Sequence, residues 1–224
     1  MDFYNFKLTP QQENNFKIYY EELISYNEKV NLTAITNEQE VYIKHFYDSC
    51  LAKDIIPQNA TVLDIGTGAG FPGLPLKIVR DDIKLTLVDS LNKRIEFLKY
   101  LTNKLNIETN CVHGRAEDFA KNNREKFDIV CARAVAGLNT LCEYTLPLLK
   151  IGGSFISFKG ANYKEEIEVA ENAIKILGGK IKSILEFQLP ENMGARALIV
   201  IEKIKPTKSI YPRPKNLPKL KPLV

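Results

Sequence analysis

The sequence predicts an α/β fold: a Rossmann-like, doubly wound, mostly parallel sheet with a C-terminal antiparallel hairpin and an N-terminal helical cap. Three observations point to it. From residue 60 onward, short apolar runs alternate with helical patterns, the arrangement that builds parallel strands joined by crossover helices. Residues 62–76 (Val62-Leu63-Asp64-Ile65-Gly66-Thr67-Gly68-Ala69-Gly70-Phe71-Pro72-Gly73-Leu74-Pro75-Leu76) pass from an apolar run, through an acid and four glycines, into a helix start. After Gly178-Gly179, two apolar segments follow each other so closely that they read as a hairpin.

In chain order, Thr9-Pro10-Gln11-Gln12 is a helix start, with Thr9 as cap, Pro10 in the first turn and Gln12 in the capping-box place. Phe16, Tyr19, Tyr20, Leu23, Ile24 and Val30 recur at three- and four-residue steps and carry that helix to about residue 30. A second helix is expected from about Glu38 to Ile55, closed by Pro57. His45 and Asp48 share one face of it, and side chains three apart meet routinely, so a local pair is expected rather than a catalytic dyad. Strands are expected near 61–65, 84–88, 107–112, 127–132 and 154–159, with helices near 73–80, 91–105, 116–122, 138–149 and 163–177. Lys180 to Leu189 and Ala195 to Lys203 form the hairpin, joined by residues 190–194. Three segments result: a helical cap over 1–57, the α/β domain over 58–203 and a basic, proline-rich tail over 204–224.

Composition narrows the class. A chain of 224 residues with 45% hydrophobic residues suits one sizeable domain with an appendage. The opening, Met1-Asp2-Phe3-Tyr4-Asn5-Phe6-Lys7, lacks the basic start and apolar stretch of a secretory leader, and no 18-residue apolar segment is present, so a cytoplasmic protein without a membrane partner is expected. Cys50, Cys111, Cys131 and Cys142 form no C-x-x-C pair and read as reduced small hydrophobes, so neither a disulfide nor a metal is expected. The net charge of +4 is uneven: Lys203, Lys205, Lys208, Arg213, Lys215, Lys219 and Lys221 stand in the last 22 residues without an acid, leaving 24 bases against 27 acids before them. Pro206, Pro212, Pro214, Pro218 and Pro222 favour extended backbone there and exclude a helix. An extended cationic strand suits a phosphate backbone; a solvated terminus kept soluble by its charge is the other reading.

The glycine turn outlines a nucleotide pocket, because glycine serves where φ is positive or where bare backbone lies against a ligand. Gly68-x-Gly70-x-x-Gly73 fits the dinucleotide pattern, with Asp89 at the distance of a ribose acceptor. Asp64 separates the candidates. Unit charges about 5 Å apart interact by roughly 3 kcal/mol at an effective dielectric of 20, so a carboxylate there repels a pyrophosphate and attracts the ammonium and sulfonium of S-adenosylmethionine. The alternative for Asp64 is a strand-end acid capping the turn's own amides. In open sheets, ligands lie beyond the carboxyl ends of the strands. Gly114-Arg115-Ala116-Glu117-Asp118 is placed there to read an adenine edge, and Arg133, in a small apolar run, must find an anion: a ligand carboxylate or phosphate, or a structural ion pair.

Taken together, Asn31-Leu32-Thr33-Ala34-Ile35, His45-x-x-Asp48-Ser49, the glycine turn from Asp64 to Gly73, Val88-Asp89-Ser90 with Lys93-Arg94, Gly114-Arg115-Ala116-Glu117, Arg133-Ala134, Lys159-Gly160 and Tyr211-Pro212-Arg213 resemble the bacterial ribosomal RNA small-subunit methyltransferase G family, also called glucose-inhibited division protein B. The likeness covers nearly the whole chain. It implies a class I methyltransferase fold with S-adenosylmethionine as donor, N7 of one guanine in 16S ribosomal RNA as acceptor, and the RNA or the small-subunit particle as partner of a monomer. Carried over by position, Gly66, Phe71, Ala116, Glu117 and Arg133 would touch the donor, with Asp64, Gly68 and Asp89 completing the site. Asn216 stands where glycine is usual in that family's tail, and asparagine tolerates a left-handed turn.

Guanine N7 has a free lone pair and no proton, so methylation there requires alignment and a sheltered pocket but no base. The sequence offers no obvious base, has Arg133-Ala134-Val135-Ala136 where exocyclic-amine methylation uses an Asn/Asp-Pro-Pro-aromatic loop, and shows no Pro-Cys nucleophile; Cys131 reads as packing. A base in folded RNA must be splayed out, with cationic groups on its backbone; Arg133, Lys159, Arg196, Arg213 and the tail lysines are the candidates. Lys159 reads equally as a solvated lysine, Phe71 as packing, and Tyr211 as either a stacking ring or a tail anchor. A nicotinamide-dependent oxidoreductase and a non-catalytic RNA-binding module with a nucleotide pocket are the rival functions.

Overall fold

The computed structural model describes Tyr4 and residues 6–224, so the reading of 1–7 as leaderless falls partly outside the described residues. The first helix, α1 (Pro10–Val30), starts at the expected capping box: Gln12 N donates to Thr9 Oγ1 at 3.3 Å and Thr9 N to Gln12 Oε1 at 2.9 Å. It ends where Asn31 turns left-handed at φ 50°. The stretch expected as one helix over 38–55 is instead segmented into α2 (Glu38–Val41), a π-helical turn (Tyr42–Tyr47), α3 (Asp48–Cys50) and a 3-10 turn (Lys53–Ile55). π turns widen a helix locally and re-aim its side chains, and this one carries His45.

The remainder alternates: β1 (Thr61–Ile65), α4 (Gly73–Val79), β2 (Lys84–Asp89), α5 (Asn92–Lys104), β3 (Asn110–His113), α6 (Ala116–Asn122), β4 (Phe127–Arg133), α7 (Leu138–Thr145), β5 (Leu149–Lys159), α8 (Tyr163–Ile176), β6 (Gly179–Gln188) and β7 (Ala195–Lys203). One sheet of seven strands runs β3-β2-β1-β4-β5-β7-β6, parallel from β3 to β5, with β7 antiparallel to both neighbours. This is the doubly wound architecture with the expected hairpin. Three boundaries moved. β3 begins at Asn110 rather than 107, because Asn106 turns left-handed at φ 53° and Ile107 N still donates to Thr102 O. α7 stops at Thr145, since Pro147 closes a 3-10 turn instead of a fourth helical turn. β5 starts at Leu149, running through Gly152 and Gly153 where the apolar pattern is broken and the β4 register shifts.

Both sheet faces are covered, so β1 is buried on either side. Val62 packs with Phe16, Leu23, Phe46 and Leu98 of the helical cap and α5, while Leu63 and Ile65 pack with Leu141, Phe155 and Ile174 under α7 and α8. Each such fully buried side chain contributes about 1.5–3 kcal/mol. The cap therefore shares the core of the sheet domain. Among the described residues, no helix is long and apolar enough to cross a membrane.

The tail is neither an extended strand nor a loose terminus. It folds back along α7 and carries a short helix, α9 (Leu217–Leu220), against the expectation that its prolines exclude one. Pro218 sits in the first turn, where proline lacks only an amide that would be unpaired anyway. Asn216 opens α9 in the left-handed conformation, φ 59°.

Candidate active site

The strand order reverses between β1 and β4, and two cavities open beyond the carboxyl ends of the strands there. The smaller, about 310 Å³, is walled by Gly66, Asp89, the Gly114–Glu117 segment, Tyr144 and, from the tail, Asn216 and Lys219. The larger, about 730 Å³, is walled by Lys44, His45, Asp48, Arg133, Phe158, Lys159, Glu166 and Arg196. Val135 and Ala136 line both, so the short loop after β4 is the partition. Ala134 begins that loop at φ 55°, a left-handed conformation that alanine rarely adopts.

The glycine turn is braced from behind. Gly66 N donates to Val88 O at 2.8 Å, and a β-carbon at Gly66 would stand 2.6 Å from Val135 Cγ2, so only glycine lets the turn meet the partition. Asp64 is fully buried. Its Oδ2 accepts from Thr67 Oγ1 at 2.7 Å and from Gly73 N at 2.8 Å, while Oδ1 has no partner among the described residues. Burial raises its pKa to about 6, with the Thr67 and Gly73 hydrogen bonds opposing. Asp64 lines neither cavity; it caps the turn, the second of the two sequence readings. Phe71 is likewise packed: its ring stacks between Tyr19 (5.4 Å) and His45 (4.5 Å), and Tyr19 donates to Ala69 O at 2.6 Å. The cap thereby grips the turn.

Asp89 and Glu117 do face the smaller cavity. Asp89 accepts from Gly68 N and Leu91 N, each at 2.9 Å, with Arg94 Nη1 at 3.4 Å. A carboxylate offers about four acceptor sites, so capacity for a ligand hydroxyl remains. Gly68 serves through that amide, and Ala116 starts α6 beside it. Glu117 is buried, and its Oε1 accepts from the backbone N–H of Asn216 at 3.2 Å.

In the larger cavity the structure corrects several expectations. His45 and Asp48 do not bond each other; both bond Arg133, because the π turn separates their side chains and the guanidinium enters between them. Arg133 Nη1 donates to Asp48 Oδ2 at 3.0 Å and to Lys44 O at 3.1 Å, and Nη2 lies 3.3 Å from His45 Nδ1, with the guanidinium carbon 5.0 Å from the Phe71 ring centre. The anion Arg133 finds is thus Asp48, which also takes Arg196 Nε at 3.2 Å. Burial, then the Arg133 charge, depresses the His45 pKa to about 3, and its Nε2 meets Thr33 Oγ1 at 2.9 Å. Lys159 is no solvated lysine: it is buried, donating to Glu166 Oε2 at 2.6 Å and Ala136 O at 3.0 Å, which anchors the partition loop. Burial pushes the Cys131 thiol well up, as a packing residue requires.

Arg213 lies away from both cavities, bidentate to the fully buried Glu143 at 2.7–2.9 Å. Tyr211 packs against the core under α7, and Arg124 donates to the carbonyls of Thr207 and Tyr211. Sequence reading missed Tyr19, Val135, Glu143, Glu166 and the tail's place in the smaller cavity. Tyr19 carries the same helical periodicity as any core residue, and the acids have no motif; only Asn216 had been noted.

A family model for rRNA small subunit methyltransferase G matches residues 12–194. Proteins named ribosomal RNA small subunit methyltransferase G are similar over nearly their full length: one from Lactobacillus delbrueckii subsp. bulgaricus at 50% identity (98% of this chain, 95% of that one), another from Desulforamulus reducens at 51% (97% and 93%). A solved S-adenosylmethionine-dependent methyltransferase from Aquifex aeolicus shares the fold, with a TM-score of 0.57 at 16% identity over 80% of this chain and 98% of that one.

Proposed function

We propose a functional reading from one premise: the chain belongs to the rRNA small subunit methyltransferase G family. It is an S-adenosylmethionine-dependent methyltransferase that methylates N7 of a guanine in 16S ribosomal RNA. The smaller cavity is the donor site. Its residues fit that donor: Asp89 faces the cavity with acceptor capacity for ribose hydroxyls, Ala116 and Glu117 stand where an adenine edge would lie, Gly66 forms its floor, and the Gly68 N–H holds Asp89 in place. Asp64 and Phe71 support that floor from behind, and Asp64 adds negative charge beneath a cationic ligand. Bound there, the donor supplies an electrophilic methyl group on a sulfonium.

The larger cavity is the acceptor site, and one observation carries the assignment to a ring nitrogen. Each titratable side chain lining it is already engaged: Lys44 with Glu40, His45 with Thr33 and Arg133, Asp48 with Arg133 and Arg196, Lys159 with Glu166. Asp48 Oδ1, without a partner among the described residues, is sealed from solvent, and Glu166 is held through Oε2 by Lys159 and by the Leu138 N–H. Such a wall orients a base and removes no proton. Guanine N7 needs nothing more: its lone pair forms the new N–C bond as the S–C bond breaks, leaving a cationic 7-methylguanine and a neutral thioether. Val135 and Ala136 line both cavities and so keep the two sites adjacent, which serves the alignment that transfer requires. Arg133, Lys159 and Arg196 shape this cavity, a positioning role.

The protein acts in the cytoplasm as a monomer, on the RNA or the small-subunit particle. The oxidoreductase reading has no support once family membership is given. The reading is tested with small-subunit RNA transcribed with 7-deazaguanosine, whose ring carries carbon in place of N7. Labelled methyl enters ordinary RNA and fails to enter the deaza RNA; equal labelling of both would overturn the N7 assignment.

A further inference from the structure

The tail holds a part of the donor cavity that its charge alone did not suggest. Asn216 and Lys219 line that cavity, and Asn216 N–H donates to Oε1 of the buried Glu117 at 3.2 Å. Glu117 Oε2 has no hydrogen-bond partner among the described residues. The segment is pinned on both sides of Asn216: upstream by the bidentate Arg213–Glu143 pair, downstream by Thr140 Oγ1 donating to Pro218 O at 3.0 Å and Asn139 Nδ2 to Leu223 O at 3.0 Å. Asn216 reaches Glu117 because it turns left-handed at φ 59°. Its side-chain Oδ1 lies 3.4 Å from the Tyr144 hydroxyl, another residue of the same wall.

We infer that the C-terminal segment from Asn216 to Lys219 is the outer wall of the donor cavity, and that the Asn216 amide sets the Glu117 carboxylate to accept from the exocyclic amino group of a 6-aminopurine. The inference rests on the donor reading above. An anchored Oε1 restricts rotation of the carboxyl group and keeps Oε2 as the free acceptor. A 6-oxopurine presents a carbonyl at the same place, and its oxygen meets the carboxylate without a proton between them. Selectivity for the adenosyl group is thus assigned to a contact between two segments about 100 residues apart in sequence.

Calorimetric titration of the full-length protein with S-adenosylhomocysteine and S-inosylhomocysteine tests it. A site built around a hydrogen bond rejects the analogue lacking the donor strongly, so the wild type should favour the adenosyl ligand by at least about tenfold. Asn216→Val cannot adopt the left-handed turn and withdraws the amide; it should weaken adenosyl binding by about tenfold and bring the two affinities within about twofold. General loosening would lower both affinities together and leave their ratio unchanged. Lys219→Ala, at an exposed position, should weaken both ligands severalfold without altering the ratio. An unchanged ratio in Asn216→Val, or equal affinities in the wild type, would overturn the inference while leaving the donor site standing. Binding of neither ligand by the wild type would overturn the donor reading itself.

Discussion

At the scale of single residues, the acids at the glycine turn divide the work between holding backbone and facing ligand. Asp64 is buried behind the turn and binds Thr67 and Gly73, whereas Asp89 and Glu117 stand in the cavity wall. Asp64→Ala should cost stability of about 1–3 kcal/mol, the penalty for leaving the Gly73 amide unpaired, and should weaken donor binding as the turn relaxes. Chemical unfolding and calorimetry check the two effects, and unchanged donor affinity in the alanine variant would contradict the turn's role. The pH dependence follows from two opposed shifts. Asp64, raised to about 6 in the fold, binds its proton more tightly there than in the unfolded chain, so its contribution to stability falls as pH rises from about 4 to 6. His45, depressed to about 3, binds its proton less tightly in the fold, so its contribution falls as pH drops below about 6.5. The two oppose each other between about 4 and 6. Asp64→Asn removes one of them, and its unfolding midpoint should fall more steeply than the wild type's between pH 6 and 4. Parallel curves would show that Asp64 binds its proton equally in the folded and unfolded chain. The sequence revealed that an acid belongs at 64; which way it faces depended on Gly73 returning to it, a contact nine residues away.

At the scale of elements, the tail departs most from its sequence. Composition exposed its charge, yet Glu143 and Thr140, which dock it, lie on α7 and carry no signal of that role. Arg213→Ala would leave Glu143 buried and unpaired, a loss of about 3–5 kcal/mol where such a pair is broken, and the melting temperature should drop accordingly. A melting temperature equal to the wild type's would mean that the pair contributes nothing. Docking also changes which tail charges remain for RNA. Lys203 is engaged with Glu125 and Arg213 with Glu143, while Lys205, Lys208, Lys215, Lys219 and Lys221 are exposed. Replacing those five by glutamine should lower the salt dependence of RNA affinity by up to about 3.5, at roughly 0.7 per phosphate contact to a single strand. An unaltered slope would remove the tail from the RNA interface. The segmented helix over 38–55 is a similar case: its apolar periodicity reads as one helix, and the π turn that opens it at Tyr42–Tyr47 accompanies the long-range insertion of Arg133.

At the scale of the whole molecule, the architecture was legible because a doubly wound sheet announces itself locally: each strand is an apolar run, each crossover a helical pattern, and the hairpin two runs in succession. The smaller cavity, the proposed donor site, was legible for the same reason, since Gly66 directly follows β1, Asp89 ends β2 and Glu117 stands in the first turn after β3. The acceptor cavity was not. It is assembled from the helical cap, the ends of β4 and β5 and the start of β7; Arg133 called for an anion that the sequence left open between a ligand and an ion pair, and neither Lys159 nor Arg196 showed a partner until Glu166 and Asp48 came beside them. That pairing of charge around a roomy cavity, next to the proposed donor site and divided from it by Val135 and Ala136, is the physical basis for proposing transfer to an atom that has no proton to lose.

The most direct test is to incubate the protein with S-adenosylmethionine carrying a labelled methyl group and small-subunit RNA lacking the modification, then map the label. The account predicts a single labelled guanine in 16S ribosomal RNA, methylated at N7. Label on an exocyclic amine or a ring carbon, or none despite donor bound to the protein, would contradict it.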